Sequence, residues 1–174
     1  MASSTSLPAT DIVERLRAQL GDDLSEGGDS HGDAAVRVSP ERYRELVQML
    51  RDDDDLAFDF IDFVTAVDWQ DEGMDVVTQL FSTRHRHHVR VKVRVTGEEP
   101  SVPSIADLYA GANWYERETW ELFGIDFEGH PQLVKLVLPE QFEGFPGRKD
   151  FELMSRVAKP WPGTVEGEED EDEA

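Results

Sequence analysis

The segment His88–Val95 constrains the fold more than any other part of the sequence. It reads HVRVKVRV, so valine alternates with histidine or a basic residue along its whole length. Successive side chains of a β-strand point to opposite faces of a sheet, whereas a helix would scatter these valines around its circumference. The pattern therefore predicts a sheet with one buried and one solvated face. Antiparallel pairing is expected for at least the hairpin that ends in this strand, with its turn at Arg84–His87.

Three other segments are predicted to be strands. Ala34–Val38 is short and apolar, and Asp75–Thr83 alternates between its two faces. Leu56–Val67 is rich in Phe, Ile and Val, which favours a central strand.

Two helices are predicted before these strands. Asp11–Leu20 carries apolar residues at helical spacing and is followed by Gly21, and Ser39 with Pro40 is a strong helix start. The segment Gly21–Asp33, rich in Gly, Asp and Ser, is expected to be a loop.

These elements predict an α+β fold, with a mixed or antiparallel sheet, helices packed on one face and an extended C-terminal segment. The predicted organisation has three parts. Residues 1–33 form an N-terminal helix and a polar loop, residues 34–155 form the α+β domain, and residues 156–174 form an acidic disordered tail.

The composition excludes several classes of function. These 174 residues contain no cysteine, so disulfides, iron–sulfur clusters and thiolate zinc sites cannot form within them. The net charge of −21 makes free nucleic acid an improbable partner, because phosphates are repelled. Few lysines and a dispersed excess of acids favour a high-salt cytoplasm, the alternative being an ordinary acidic protein. No apolar run approaches the roughly 18 residues that span a bilayer, and no secretion signal is evident.

The block from Asn113 to Asp150 combines charges, aromatic rings, glycines and prolines more densely than an ordinary surface does. Asn113 is expected to cap a helix while Glu116 reaches back to its amide, and Gly124 to end that helix in a left-handed conformation. On this helix Arg117 and Glu121 are four residues apart and are expected to pair.

Shorter elements are predicted on either side of this helix. Ser104 with Asp107 predicts a short helix through Tyr109, and Leu133–Leu138 is strand-like. The remainder has little core of its own and is expected to lie against another surface.

The same block resembles a known family. Its motifs are ERE at Glu116–Glu118, WELFGI at Trp120–Ile125, F-x-G-H-P at Phe127–Pro131 and G-x-P-x-R-K-D-F at Gly144–Phe151. In order and spacing they resemble the C subunit of respiratory complex I, the thirty-kilodalton subunit of proton-translocating NADH:quinone oxidoreductase. The resemblance covers about residues 35 to 155. The chain departs from the family's usual residues at Glu121, at Val134 with Lys135, and at Gly147.

The resemblance implies a non-redox structural subunit of the peripheral arm, without a catalytic group. FMN, the iron–sulfur clusters and quinone would belong to other subunits, and this chain would hold no cofactor or metal. It would dock on the large quinone-site subunit (the D subunit), on the cytoplasmic side of the inner (plasma) membrane and peripheral to it. The partner-binding positions carried over are Trp114, Glu116, Arg117, Glu118, Phe123, Gly124, His130, Pro131, Arg148, Lys149 and Asp150. Arg148 would grip an acidic residue of the partner bidentately.

Two alternatives remain for the function. Membrane-bound hydrogenases and ferredoxin-fed complexes contain a similar subunit, which leaves the electron donor open. A stand-alone metal-dependent hydrolase could use Glu116, Glu118 and His130, although no activated nucleophile accompanies them.

Two further clusters could bind ligands. His85 and His87 would share a strand face and could reach one metal, but two imidazoles without a third ligand make a weak site. His130 lies in a predicted turn between Gly129 and Pro131, where a buried, hydrogen-bonded histidine is expected rather than a metal ligand. Arg90, Lys92 and Arg94 form a basic stripe, which is either the wet face of a sheet or a docking surface for an acidic partner element.

Overall fold

A computed structural model describes residues 6–152. The described elements are, in chain order, α1 (Ala9–Leu20), β1 (Leu24–Ser30), β2 (Asp33–Val38), α2 (Pro40–Asp52), β3 (Phe60–Asp68), β4 (Met74–Phe81), β5 (His88–Val95), β6 (Ser101–Pro103), α3 (Ala112–Phe123) and β7 (Asp126–Glu128). The predicted acidic tail, residues 156–174, lies outside the described residues, as does the end of the predicted domain beyond residue 152.

The main sheet has five strands in the order β1-β2-β5-β4-β3. Strands β2 and β5 pair in parallel, and the other three neighbouring pairs are antiparallel. A small parallel pair, β6 with β7, sits beside α3. The α+β class, the mixed sheet and the antiparallel β4–β5 hairpin are therefore confirmed.

The hydrophobic core lies between one face of the sheet and the helices. The four valines of β5 are buried on this face, as the alternation predicted. Helices α1 and α2 contribute buried apolar stripes, and Tyr43 of α2 shares a buried hydrogen bond with Thr78 of β4 (2.7 Å). Helix α3 joins the same core through Thr119, whose hydroxyl donates to the Val64 carbonyl of β3 (3.2 Å). Within residues 6–152, all three helices thus pack on the same face of the sheet and none covers the opposite face.

Two strand predictions are wrong in informative ways. The loop expected at Gly21–Asp33 contains strand β1, because pairing with β2 along its length overrides the local preference of Gly and Asp for turns. The segment expected to be a central strand is β3, which begins at Phe60 and lies at the sheet edge. Its apolar excess arises from Phe60 and Val67, which point to the uncovered face and are exposed.

The helix expected from Ser104 through Tyr109 is a turn instead. Asp107 is bound to the Arg44 guanidinium (2.6 Å) and does not cap this segment. The amide of Ile105 is held by the Glu116 carboxylate (2.7 Å), so the backbone is fixed by α3 and not by a capping box.

The uncovered face carries the predicted basic stripe, and its ion pairs centre on Asp75 of β4. The Asp75 carboxylate accepts from Arg37 of β2 and Arg94 of β5, both at 2.6 Å, and from the indole N–H of Trp69 (2.9 Å). Burial opposes ionisation here, but the two guanidinium groups prevail and hold the pKa of Asp75 below its usual value. Arg94, at one end of the stripe, is therefore held by the Asp75 carboxylate of the neighbouring strand.

Candidate partner interface

Helix α3 is anchored to the domain by a buried carboxylate on its inner side. Glu116 is 0% exposed, accepts from the Ser104 hydroxyl (2.6 Å) and the Ile105 amide (2.7 Å), and burial raises its pKa to about 7. The prediction that Asn113 caps this helix with Glu116 reaching back is wrong, because the helix begins at Ala112 and Glu116 binds a different segment.

His130 closes the same anchor. Its Nε2 lies 3.2 Å from the Asn113 carbonyl, and its Nδ1 accepts from the Gln132 amide (3.0 Å). A carbonyl only accepts and an amide only donates, so the proton sits on Nε2. Nε2 is also 3.9 Å from Glu116 Oε2, and the His130 side chain is 1% exposed. The prediction of a buried, hydrogen-bonded histidine is confirmed.

The outer side of α3 holds the segment that follows β7. Glu121 accepts from the backbone amides of Leu136, Val137 and Leu138 at 2.7 to 3.2 Å. Arg117 donates to the carbonyls of Val134 (2.9 Å) and Lys135 (3.2 Å). The expected Arg117–Glu121 pair is therefore wrong, because each side chain is used by backbone groups. The expected strand at Leu133–Leu138 is also absent from the described chain, since its amides point to α3 rather than to another strand.

The end of α3 receives the last described residues. Gly124 adopts the predicted left-handed conformation (φ 70°), and a Cβ there would lie 2.7 Å from both the Phe145 ring and an Arg148 nitrogen. Arg148 Nε donates to the Phe123 carbonyl (2.5 Å), and its guanidinium lies 4.6 Å from the centre of the Phe145 ring. Arg148 thus caps the C-terminal end of α3. Only the two terminal nitrogens of its guanidinium group are left for a carboxylate of a partner.

Three large apolar side chains are exposed on α3 and on the segment that follows β7. Trp114 is 61% exposed, Val134 44% and Val137 62%. The Arg117 guanidinium lies 5.7 Å from the centre of the Trp114 ring while it holds the Val134 carbonyl, so it links helix and segment. We name Trp114, Arg117, Val134 and Val137 the α3 surface.

The positions predicted to bind a partner divide into three groups. Glu116 and His130 are enclosed by their own chain, and Arg117, Phe123, Gly124 and Arg148 are half-buried. Five are exposed: Trp114, Glu118, Pro131, Lys149 and Asp150. The exposed group is free to touch a partner directly and the enclosed group can only support it; partner binding itself stays a prediction.

Sequence reasoning missed Glu121, Val134 and Val137 as parts of this site. In the sequence, Glu121 and Val134 were noted mainly as departures from the usual residues of the resembled family. Val137 was only one residue of the apolar run Leu133–Leu138. The useful signal was the spacing of Arg117 and Glu121, which places a cation and a carboxylate on one helix face where a passing backbone can use both.

The structure brings the residues of the two proposed metal sites only partly together. The rings of His85 and His87 stack with their centres 5.5 Å apart. Glu116 and His130 adjoin each other, but Glu118 is exposed on another side of α3. His87 is buried, its Nε2 is 2.9 Å from the Leu56 carbonyl, and burial lowers its pKa. Between residues 6 and 152 there is no group of three or more His, Cys, Asp or Glu side chains that could hold a metal ion.

Two solved structures share this architecture. The Nqo5 trypsin-resistant fragment aligns with 71% of this chain and 98% of its own (TM-score 0.61, 29% identity). A chain of the membrane-bound sulfane sulfur reductase, an archaeal respiratory membrane complex, aligns with 95% of this chain and 98% of its own (TM-score 0.73, 26% identity). The second of these chains thus shows the same α+β fold within a respiratory membrane complex.

The sequence comparisons identify the family. The family model described as "Respiratory-chain NADH dehydrogenase, 30 Kd subunit" matches residues 36–157. The NADH-quinone oxidoreductase C subunit of Roseiflexus castenholzii is 42% identical over 82% of this chain and 83% of its own length. The corresponding C 2 subunit of Rhizobium etli is 38% identical over 96% of this chain and 88% of its own. The chain belongs to the family of the 30-kilodalton (C) subunit of NADH-quinone oxidoreductase, as its motifs indicated.

No helix within residues 6–152 is long and apolar enough to cross a bilayer.

Proposed function

We propose that this chain is a non-redox structural subunit of the peripheral arm of NADH:quinone oxidoreductase. It docks on the D subunit, which holds the quinone site, and so supports electron transfer from NADH to quinone coupled to proton translocation. It is peripheral to the inner membrane and faces the cytoplasm. The relatives named as C subunits of this enzyme, which align over most of this chain and of their own lengths, support membership of that complex.

The α3 surface is the observation that carries the docking proposal. Large apolar side chains such as Trp114 and Val137 are costly to leave in water, and contiguous apolar patches mark interaction sites. Trp and Arg are also enriched where protein interfaces bind most strongly, and Trp114 and Arg117 supply both. A partner that covered this surface would remove the exposed apolar area from water.

The α3 surface is held in shape before any partner arrives. Glu121 and Arg117 fix the segment that carries Val134 and Val137, while Glu116 fixes the helix that carries Trp114. Binding then costs little ordering entropy at these positions, because side chains and backbone are already constrained. A scaffold role needs this rigidity.

We assign FMN, the iron–sulfur clusters and quinone to other subunits. The chain has no cysteine with which to bind an iron–sulfur cluster. The carboxylate and imidazole that adjoin each other, Glu116 and His130, are enclosed and committed to backbone and hydroxyl groups, so neither can meet a substrate.

The test replaces two residues of the α3 surface, Trp114→Ala together with Val137→Asn. Asparagine avoids a second carboxylate beside Glu121. Loss of two exposed interface side chains should weaken docking by about 1.4–2.8 kcal/mol, or roughly 10- to 100-fold in affinity. The measurement is the amount of the quinone-site subunit that co-purifies with the tagged chain from membranes, together with NADH-dependent quinone reduction.

Val67→Asn is the matched control, because Val67 is an exposed valine on the other side of the sheet. It should leave co-purification unchanged. Thermal unfolding of each purified chain separates docking from folding. Normal recovery of the quinone-site subunit with the double variant, or an equal loss with the control variant, would refute the assignment of the interface.

A second candidate is the equivalent subunit of a complex fed by a different electron donor. The likeness to a chain of the membrane-bound sulfane sulfur reductase over 95% of this chain favours it. The two candidates share the same scaffold role and differ in the rest of the complex. Reduction of quinone by the purified assembly with NADH, compared with reduced ferredoxin, discriminates between them.

A further inference from the structure

The uncovered sheet face carries positive charge that the described chain does not neutralise. Arg90, Lys92 and Arg94 occupy alternate positions of β5, and Arg37 of β2 stands opposite Lys92. From here on, the name basic stripe includes Arg37 together with the three residues of β5. Three carboxylates face it: Asp75 lies between Arg37 and Arg94, Glu26 lies beside Arg37, and a Glu72 carboxylate oxygen lies 3.6 Å from the Arg94 guanidinium. The cations therefore outnumber the acids here, although the chain as a whole has a net charge of −21.

Lys92 at the centre of the basic stripe is the least satisfied member. Arg37 and Arg94 share Asp75, and Arg90 donates to Gln79 (2.9 Å) and Ser30 (3.4 Å). Within the part of the chain that the structure describes, Lys92 forms no hydrogen bond or ion pair. It stands among like charges, so an anion that approached it would be attracted by its neighbours as well.

We propose that the acidic segment of this same chain, residues 166–173, binds the basic stripe. That segment reads EGEEDEDE and contains seven carboxylates, so its charge complements the stripe. It is the occupant to which the structure points, ahead of an acidic element of another subunit.

The spacing of charges also matches. Cationic side chains at alternate positions of a strand repeat about every 6.8 Å, because each residue advances about 3.4 Å. An extended acidic chain has the same repeat, and either of its faces supplies at least three carboxylates. One face would carry Glu169, Glu171 and Glu173, and the other Glu166, Glu168, Asp170 and Asp172. Each of the three cations of β5 can thus meet one carboxylate.

The described chain ends near the stripe. The Lys149 amide donates to Asp68 Oδ2 (2.7 Å), and Lys149 Nζ lies 5.9 Å from the centre of the Trp69 ring. The Trp69 indole in turn donates to Asp75 and stacks under Arg94 (5.9 Å). The residues between Glu152 and Glu168 span up to about 50 Å when extended, about twice the length of β5. This linker is therefore long enough for the acidic segment to lie along the basic stripe. Tethering raises the effective concentration of the acidic segment to about millimolar.

Zero-length carbodiimide crosslinking of the intact assembly tests this proposal, because such a reagent joins a lysine only to a carboxylate in contact with it. The chain has four lysines, and Lys149 and Lys159 are nearer in sequence to the acidic segment than Lys92 is. A segment that did not bind the stripe would therefore link to Lys159 and Lys149 first. We expect Lys92 to be its main partner by mass spectrometry, at least about fivefold above Lys149, and 1 M NaCl to reduce these links severalfold.

A charge-matched pair of variants provides the second arm. Glu169→Gln, Glu171→Gln and Glu173→Gln together leave four of the seven carboxylates, so they should reduce the Lys92 links about twofold. Glu14→Gln, Glu140→Gln and Glu143→Gln change net charge equally at exposed sites elsewhere and should leave them unchanged.

A second measurement does not depend on crosslinking. Because the chain has no cysteine, Ala174→Cys accepts a single nitroxide, which should broaden the amide signals of Val91 and Val93 in the full-length chain. Links or broadening spread evenly over the surface, links of Lys92 to another subunit, or insensitivity to salt would overturn the proposal. The docking experiment at the α3 surface is unaffected by any of these outcomes.

Discussion

Replacing Glu121 by glutamine tests whether its carboxylate holds the segment that follows β7. Glu121 is 2% exposed and receives the amides of Leu136 and Leu138 on one oxygen and that of Val137 on the other. A glutamine that keeps its carbonyl at the first oxygen retains two of these bonds and sets its NH₂ group against the Val137 N–H. The mutation thus removes one charge-assisted hydrogen bond and weakens two.

The size of the effect follows from the value of such bonds. A hydrogen bond to a charged group contributes about 1.5–3 kcal/mol, and the three amides are near enough to the surface to regain part of this from water. We expect Glu121→Gln to lower the free energy of unfolding by about 2 kcal/mol and Glu121→Ala by about 3 kcal/mol. For a chain of this size the melting temperature should fall by about 2–4 °C for each kcal/mol.

The assays are urea unfolding of the full-length chain and amide hydrogen exchange. Exchange at residues 136–138 should accelerate at least tenfold in Glu121→Gln, beyond the change at β5 amides. Glu118→Gln, an exposed glutamate on the same helix, is the matched control and should change stability by less than about 0.5 kcal/mol. Unchanged protection at residues 136–138 in Glu121→Gln would show that the carboxylate does not hold this segment.

Two further predictions concern the anchors of α3. Because burial raises the pKa of Glu116 to about 7, above the ordinary 4.5, the native state keeps its proton at pH values where the unfolded chain loses it; stability should therefore decline by about 1–3 kcal/mol as pH rises from 4.5 through 7. Glu116→Gln should flatten this part of the pH profile in urea unfolding. Arg148→Ala removes the bond to the Phe123 carbonyl and the contact with Phe145, and should lower the free energy of unfolding by about 1–2 kcal/mol in thermal or urea unfolding of the purified chain.

Each of these has an outcome that contradicts it. An equally steep pH profile in Glu116→Gln would mean that another group titrates there. Lys149→Ala, an exposed neighbour of Arg148, should cost less than about 0.5 kcal/mol. If Arg148→Ala and Lys149→Ala lowered the free energy of unfolding equally, Arg148 would not stabilise the end of α3. Contact with a partner would then be its remaining role.

Local sequence patterns were sufficient wherever one element carries its own signal. The alternation of β5, the Ser39–Pro40 start of α2 and the left-handed Gly124 each depend on residues that are neighbours in sequence. The same holds for the family motifs, whose spacing survives without any knowledge of the fold. These features predicted the α+β class and the family.

Features that depend on distant residues could not be predicted in this way. Strand β1 contains Gly27 and Gly28 and exists because β2 pairs with it. Glu116 was expected to reach back to the Asn113 amide and Glu121 to pair with Arg117. Instead, Glu116 binds the Ile105 amide and Glu121 binds three amides of the segment after β7. Burial of a carboxylate depends on which segments pass over it, and the order of residues along one helix does not contain that information.

The parallel pairing of β2 with β5 has a consequence for how the molecule is made. Ala34 pairs with Val89, so the β1–β2 hairpin emerges from the ribosome long before its neighbour in the sheet. Until β5 is synthesised, one edge of β2 presents unpaired N–H and C=O groups, a template for mispairing with another nascent chain. Contacts of such long range also slow folding, because loop closure must precede them. The N-terminal hairpin must therefore wait for β5 before it can join the sheet, and the open edge of β2 needs protection until then.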